Sequence, residues 1–193
     1  MPYGITYKGT WRALFSWLIN LKYVYIYLGG NKLQYLHPNA FLWLPNLIHI
    51  SLHNNPGLQI PTDCNFMNSR SLSSLDISRR NVISVSVETF AKVSSLEWLD
   101  LRHNNLRTVD INILRALPKL STLYLYGNRV QCDCQLQKVW RYCEDRNIQA
   151  GFRGKEPKCD TPSEVKGIEW VVVEKSQCLV SNINFYRDYN NTS

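Results

Sequence analysis

The stretch of sequence that decides the fold is LEWLDLRHNNL, residues Leu96–Leu106. Within it, leucines stand at positions 1, 4, 6 and 11, and an asparagine stands at position 9. Further copies of this pattern begin near residues 23, 47, 72 and 120, so the period is 24 or 25 residues. A fixed period of this length predicts a solenoid, in which each repeat forms one coil and stacks on its neighbours.

Each position of the pattern has a physical task in such a coil. Side chains at positions 4 and 6, such as Leu99 and Leu101, point to the same face of a short strand and enter a shared core. The amide of Asn104, at position 9, can bond backbone groups where the chain leaves the strand. In the third copy Arg80 takes this place, and Asn81 is the candidate to compensate for it. Large aromatic residues near position 18 are predicted to fill the space between the layers of the coil: Phe41, Phe66 and Phe90.

The pattern L-x-x-L-x-L-x-x-N-x-L resembles that of the leucine-rich-repeat family. The resemblance implies an α/β solenoid, a horseshoe with short parallel strands on its concave face and a disulfide-bonded C-terminal cap. The chain then divides into a partial leading repeat (1–22), five repeats (23–130), a cysteine-rich cap (131–178) and a polar tail (179–193). Similar arrays occur in Toll-like and Slit-like animal proteins, which implies a role in signalling, innate immunity or adhesion.

Most of the cysteines follow the last repeat. Cys132 and Cys134 form a Cys-x-Cys pair, and Cys159 and Cys178 come later. Six cysteines allow 15 pairings, so spacing alone does not settle the connectivity. The order resembles the C-terminal flanking domain of extracellular leucine-rich-repeat proteins, which implies the disulfides Cys132–Cys159 and Cys134–Cys178. A cap is needed because the last strand of a solenoid would otherwise be an open edge.

The two remaining cysteines have different expected states. Leu136, Val139, Trp140 and Cys143 share one face of a predicted helix, because they fall at i, i+3, i+4 and i+7. That face is expected to lie over the fifth repeat, with Cys143 as a small buried hydrophobe. Cys64 has no assigned state: it is free, intermolecular, or paired with a region outside this chain. A zinc site is disfavoured because the cap contains no Cys-x-x-Cys and no histidine.

The expected location is extracellular, either secreted or at the cell surface, because disulfides indicate an oxidising compartment. Asn190 and Asn191 begin overlapping glycosylation acceptor sequences in the tail, which agrees with secretion. The apolar run over residues 13–28 is too short and too interrupted to span a bilayer. No signal peptide is recognisable at the start, so the sequence indicates the C-terminal part of a longer precursor.

Positions 3, 5 and 7 of the repeats point away from the core, onto the concave face that solenoids use for binding. Tyr, Trp and Arg, which are enriched at binding hot spots, occur at several of these positions. The candidate partner-binding residues are Tyr25, Tyr27, His49, His53, Asp76, Trp98, Asp100, Arg102, Tyr124 and Tyr126. An alternative interpretation is that any open sheet face needs a polar or amphipathic lining, and the sequence does not choose between the two.

The pattern predicts neither an enzyme nor a cofactor. His49 and His53 both face the concave side, but four strand residues separate them by about 13 Å, too far to share one metal ion. No catalytic motif surrounds the serine, histidine and aspartate residues of this face. The predicted partner is therefore a protein ligand or co-receptor.

Two alternative functions remain open. One is a matrix or self-assembling structural protein that associates through Cys64 or the first repeat. The other is a binder of acidic glycans, since the net charge is +7 and residues 1–128 hold 12 Lys and Arg against 6 Asp and Glu. Nucleic acid is not expected, because no run of Lys and Arg exceeds two residues.

Overall fold

The computed structural model describes residues 18–150, 158–170 and 172. Five short strands lie side by side in one parallel sheet, in the order in which they occur in the sequence. They are β1 (Val24–Tyr27), β2 (Leu47–Ser51), β3 (Ser74–Asp76), β4 (Trp98–Asp100) and β5 (Thr122–Tyr124). The predicted solenoid is confirmed, because each coil contributes one strand and stacks on the next.

Strand register places equivalent repeat positions beside each other. Position 4 forms a row of aliphatic side chains that points into the core, and only the first of these is less than fully buried. Successive side chains of a strand point to opposite faces, so the neighbouring positions 3 and 5 line the concave surface. The row at position 4 consists of Ile26, Ile50, Leu75, Leu99 and Leu123.

On the outer side of the coils the chain returns through turns and two short helices, α1 (Val87–Phe90) and α2 (Ile111–Arg115). Ser86 caps α1 through a capping box, and Asp110 caps α2 by accepting a hydrogen bond from the backbone N–H of Asn112. These side chains satisfy N–H groups that a helix end leaves free. The predicted packing of the aromatic residues is also confirmed, because each is at most 2% exposed: Phe41, Phe66 and Phe90.

The side chains at position 9 form an inner row that we call the asparagine ladder: Asn31, Asn55, Asn104 and Asn128, interrupted by Arg80. Asn104, which is 4% exposed, shows how a rung works. Its Nδ2 donates to the carbonyls of Leu101 and Ile77, both at 3.0 Å. Its Oδ1 accepts from the backbone N–H groups of Arg80 and Val82, both at 3.0 Å. One side chain thus satisfies backbone groups of two adjacent coils, as buried polar groups require.

Asn31 is the simplest rung of the asparagine ladder. It is exposed, and its Nδ2 donates to the carbonyls of Leu28 and Gly29, both in its own repeat. Asn55, one coil further on, reaches back to Leu28 as well as to Leu52. Asn55, like Asn104, therefore bonds backbone groups of two adjacent coils.

The prediction that Asn81 compensates for the missing asparagine is wrong. Asn81 is exposed, has φ of 67°, and accepts a hydrogen bond from Nδ2 of Asn105. Arg80 itself occupies the inner position and is 2% exposed. The long guanidinium side chain reaches carbonyls of the preceding coil, which a short amide one residue later does not.

The C-terminal cap consists of β6 (Val130–Gln131), α3 (Cys134–Asp145), β7 (Cys159–Thr161) and a 3-10 helix (Ser163–Val165). The disulfide Cys132–Cys159 joins its two parts, with Cα atoms 5.5 Å apart. This is one of the two pairs that the resemblance implied. Cys134 is also disulfide-bonded, but Cys178, its implied partner, lies outside the described residues.

The cap covers the edge of the sheet beyond β5. Gln149 forms a parallel bridge with Thr122, so the chain after α3 continues the row of strands. Leu136, Val139 and Cys143 are at most 3% exposed, as the predicted helix face required. Cys143 is free, and desolvation raises the pKa of its thiol to about 12, so it stays a neutral, unreactive core residue.

Other predictions fall outside the described residues. These are the leading part of the partial repeat, up to residue 17, and the glycosylation acceptors Asn190 and Asn191. Among the residues that are described, no helix has both the length and the apolar character needed to cross a membrane.

Candidate functional site

The concave face carries the candidate residues in two rows set by the strand register. Each strand contributes one side chain to each row, so residues far apart in sequence become neighbours about 4.8 Å apart. Position 3 gives the row Tyr25, His49, Ser74, Trp98 and Thr122. Position 5 gives the row Tyr27, Ser51, Asp76, Asp100 and Tyr124.

Aromatic side chains of these rows touch in a continuous band, which we call the aromatic strip: Tyr25, Tyr27, His49, Trp98 and Tyr124. The ring centroids of Tyr27 and His49 lie 5.2 Å apart, those of His49 and Trp98 6.3 Å, and those of Trp98 and Tyr124 5.5 Å, edge to face. These separations are in the range of favourable aromatic contacts. The strip therefore crosses from the first to the last strand.

Ser74 explains how the aromatic strip crosses β3. His49 and Trp98 belong to strands on either side of β3, and the small Ser74 side chain leaves room for their rings to meet above it. Its Oγ lies 2.7 Å from Nδ1 of His49, which holds the imidazole in place. Desolvation lowers the pKa of His49, against the opposing charge of Asp76, so the neutral ring is favoured.

Arg102 is held at the C-terminal end of the strip by a buried carboxylate. Its Nε lies 2.9 and 2.8 Å from the two carboxylate oxygens of Asp100, whose side chain is fully buried. The guanidinium lies 5.2 Å from the ring centroid of Tyr124, a cation–π arrangement. Hydrogen bonding to Asp100 is the main cause that raises the pKa of Arg102. Asp100 therefore positions Arg102 and has no surface to offer a partner.

A second polar group follows the strands at position 7. Nδ1 of His53 lies 2.8 Å from Oγ of Ser51 and 3.6 Å from a carboxylate oxygen of Asp76. Ser51 also donates to Asp76 at 3.0 Å. Gly29 makes room for this imidazole, because a Cβ there would lie 2.0 Å from a ring carbon of His53. At the same repeat position in the last coil, Tyr126 instead packs edge to face on His103, with centroids 5.3 Å apart.

Exposure differs along the aromatic strip. Tyr25 and Tyr27 are 54% and 70% exposed, whereas Trp98, Arg102 and Tyr124 are of intermediate exposure. The C-terminal part is therefore packed and oriented before any partner arrives, which lowers the entropy cost of binding.

Sequence reasoning missed Ser51, Ser74 and His103, which fix the orientation of candidate residues. The signal for the two serines is in the sequence, since a small residue at position 3 or 5 between larger ones leaves space for its neighbours. The described residues contain no group of three or more His, Cys, Asp or Glu that could hold a metal ion. What the face offers is aromatic area, one oriented guanidinium and several hydroxyl and imidazole groups, which suits binding to a surface.

Comparison with known proteins gives the same picture of the fold. Residues 70–130 match the family model described as leucine rich repeat. Nephrocan of Mus musculus is 26% identical over 78% of this chain, and Toll-like receptor 9 of Mus musculus is 28% identical over 79%. The matched regions are only 28% and 15% of these relatives' own lengths, so the chain corresponds to a small part of each.

Two further similarities extend the range of relatives. The platelet glycoprotein Ib beta chain of Homo sapiens is 32% identical over 48% of this chain and 44% of its own length. A solved structure described as the TLR13–ssRNA13 complex superposes with a TM-score of 0.59 and 25% identity, over 70% of this chain and 20% of the other. Residues 70–130 therefore carry leucine-rich repeats, and the repeat pattern, the parallel solenoid, the Cys132–Cys159 disulfide and these similarities give the described chain the leucine-rich-repeat fold.

Proposed function

We propose that this chain is a non-catalytic recognition module of an extracellular receptor or secreted protein, which binds a protein ligand or co-receptor through its concave face. The observation that carries the proposal is the C-terminal part of the aromatic strip, where Trp98, Tyr124 and Arg102 are packed together over a buried Asp100. A tryptophan, a tyrosine and an arginine held in one orientation are the components of an interface hot spot. A sheet face that only needed a polar lining would not require a buried carboxylate to hold one arginine in a fixed orientation.

The location and the biological setting are part of the same proposal. The Cys132–Cys159 disulfide supports an oxidising compartment. Relatives named as a Toll-like receptor and as a platelet glycoprotein support a cell-surface or secreted setting, in signalling, innate immunity or adhesion. The remaining candidate contacts at the N-terminal end of the strip, Tyr25, Tyr27 and His49, enlarge the surface that a partner would cover.

The proposal is tested by screening the whole disulfide-bonded chain against a panel of secreted and cell-surface ectodomains, and then measuring the affinity of each variant for the partner found. Trp98→Ala and Tyr124→Ala are each expected to weaken binding by about tenfold or more, because hot-spot truncation costs about 2 kcal/mol. Matched controls are Trp43→Ala and Tyr35→Ala, at aromatic residues that are 50% and 60% exposed outside the strand rows. Loss of binding with the controls but not with the strip variants would reject the concave face.

Ionic strength separates a protein partner from a polyanion. Binding of an acidic glycan would weaken steeply when salt is raised from about 0.15 to 0.5 M, because it depends on charge. Single-stranded RNA, bound by the TLR13 neighbour according to its description, would show the same steep salt dependence. A protein interface centred on Trp98 and Tyr124 is expected to lose far less affinity under these conditions.

Cys64 favours a second candidate function, assembly through an intermolecular disulfide. It is free and exposed, although desolvation and the adjacent Asp63 raise the pKa of its thiol and so slow its reaction near neutral pH. Non-reducing gel electrophoresis of the secreted chain tests this function. A covalent dimer that disappears in Cys64→Ser supports assembly, and a monomer under oxidising conditions contradicts it.

A further inference from the structure

Arg80 breaks the asparagine ladder with a buried cation. The residue is 2% exposed, and its guanidinium packs 5.9 Å from the ring centroid of Phe66. Nε donates to the carbonyl of Asn55 at 3.4 Å, and Nη2 donates to the carbonyl of Leu58. Nη1 is buried and has no acceptor among the residues that the structure describes. One charge-bearing NH2 group is therefore left unused, which is costly inside a protein.

The charge of Arg80 lacks a close counter-ion. Within the described part of the chain no carboxylate forms an ion pair with it, and Asp76 acts on it only at longer range. Burial lowers the pKa of Arg80 to about 10, so the side chain stays protonated at neutral pH. An uncompensated buried charge costs several kcal/mol. Asparagine performs the ladder task in the neighbouring coils, so the repeat does not itself require a cation here.

A surface pocket of about 370 Å³ lies where this side chain is buried. It is formed by the segments that follow β2 and β3, on a different surface from the aromatic strip. Ile83, which is 71% exposed, adds an apolar residue to its edge. Its lining includes the apolar residues Leu58, Val82 and Ile83, the polar residues Gln59 and Asn81, and Arg80.

We propose that this pocket binds a carboxylate, carried by an acidic side chain of a protein partner next to an apolar residue, with Arg80 as the anchoring cation. The carboxylate would accept from the unused Nη1 and neutralise the buried charge, and the apolar neighbour would pack on Ile83. Arginine and carboxylate form one of the strongest hydrogen-bonded pairs in proteins. A single spare NH2 group, with Ile83 at the edge of the pocket, suits a singly charged carboxylate with an apolar neighbour better than a doubly charged phosphate.

Nη1 is covered in the free protein, because its own surface is closed off by neighbouring atoms. A carboxylate oxygen reaches it only after the side chains above it move apart. For an isolated dipeptide we therefore expect a dissociation constant of about 1 mM, equivalent to about 4 kcal/mol. A complete partner would add contacts around the pocket.

The test is a titration of the whole, isotope-labelled chain with the blocked dipeptide N-acetyl-leucyl-aspartate amide, followed by NMR at constant ionic strength. The Nε–H signal of Arg80 and the backbone amide of Ile83 are expected to shift in a saturable way. N-acetyl-leucyl-asparagine amide, which has nearly the same shape without the charge, is expected to shift neither signal. Inorganic phosphate is expected to bind more weakly than the acidic dipeptide.

Two variants provide matched controls of equal charge. Arg80→Asn restores the residue that neighbouring rungs carry at this place and is expected to fold, but to lose the Ile83 response by about tenfold or more. Arg79→Asn removes one positive charge at the adjacent exposed residue, whose φ of 55° suits asparagine, and is expected to bind normally. Should Arg80→Asn fail to fold, Arg80→Lys serves instead, because it keeps the charge without the planar donor group and is expected to weaken binding.

Several results would overturn the proposal. The first is the absence of saturable shifts in the wild-type chain up to about 50 mM dipeptide, which is about fifty times the expected dissociation constant. The second is an equal response to the asparagine dipeptide, and the third is unchanged binding of the acidic dipeptide by Arg80→Asn. Stronger binding of phosphate would overturn the assignment to a carboxylate. None of these outcomes bears on the aromatic strip, because the two surfaces share no residue.

Discussion

The asparagine ladder and the aromatic strip run parallel through the same coils but follow opposite rules. In the ladder the same residue recurs, because every coil leaves the same backbone groups to be satisfied in its interior. On the concave face the residue type varies along the rows: position 3 holds Tyr, His, Ser, Trp and Thr, and position 5 holds Tyr, Ser, Asp, Asp and Tyr. The fold requires a particular residue at the inner position of each coil but not at the outer positions on the concave face. A residue other than asparagine at the inner position therefore indicates a role beyond the fold, and so does a cluster of large residues at the outer positions.

Arg80 and Arg102 illustrate this difference. Both are arginines with restricted exposure, but Arg102 has a buried carboxylate that receives its hydrogen bonds, whereas Arg80 donates to two neutral carbonyls and leaves Nη1 unused. Arg102, beside the aromatic strip, therefore lies next to its counter-ion. Arg80, in the asparagine ladder, has an NH2 group without an acceptor among the described residues.

The largest effect on stability is expected when an inner rung of the ladder is removed. Asn104→Ala deletes the partner of five backbone groups in two coils and is expected to lower the free energy of unfolding by about 3 to 4 kcal/mol. Asn31→Ala is the matched control, since Asn31 is exposed and, among the described residues, bonds only carbonyls of its own repeat; it is expected to cost less than about 1 kcal/mol. Urea unfolding followed by circular dichroism measures both, and equal losses would contradict the inter-repeat role of the ladder.

A smaller effect is expected where the strip depends on a buried group. Asp100→Ala removes the carboxylate that holds Arg102, and is expected to cost about 2 kcal/mol. That is less than the penalty for a fully buried pair, because Arg102 is 24% exposed and can turn to water. The control is Asp76→Ala at the equivalent position of the preceding strand, where the carboxylate accepts from Ser51 and the backbone of Ser78; about 1 kcal/mol is expected. A larger loss in the control would reject the idea that Asp100 is the main brace.

The smallest effect is a pH dependence from His49. Desolvation lowers its folded pKa below the ordinary value of 6.5, so the unfolded chain binds more protons in the interval between the two values. Stability is therefore expected to rise with pH there, and to be lost as the pH falls from 6.5 towards the lower folded pKa. Comparing thermal unfolding at about pH 7.5 and pH 5, His49→Gln should reduce this loss relative to the wild-type chain. An unchanged loss in His49→Gln would show that other groups cause it.

Much of the fold could be predicted from the sequence because the repeat spacing determines which residues are buried in each coil. The aliphatic residues at position 4, the aromatic residues between the layers and the buried helix face with Cys143 all lie as their spacing required. The rows of the concave face also follow from counting, since register in a solenoid repeats with the sequence. The resemblance, and not the spacing, supplied the pair Cys132 and Cys159.

The local geometry of the candidate site could not be predicted in the same way. Asp100 and Asp76 occupy the same repeat position, so the sequence does not distinguish them. Only packing against Arg102 and the neighbouring strands buries the Asp100 side chain fully and makes it the group that holds Arg102. Asn81 was expected to replace a ladder residue, but the length of Arg80 allowed its guanidinium to enter the interior instead.

The sequence by itself determined the solenoid, the order of the five described strands and the faces on which their side chains lie. These follow from a periodic pattern of burial, which acts through nearest neighbours along the chain. The tertiary structure decided which side chains touch across coils: the meeting of His49 and Trp98 above Ser74, the brace on Arg102 and the unused donor of Arg80. Such contacts depend on side-chain length and direction in three dimensions, and the spacing of residues along a chain does not contain them.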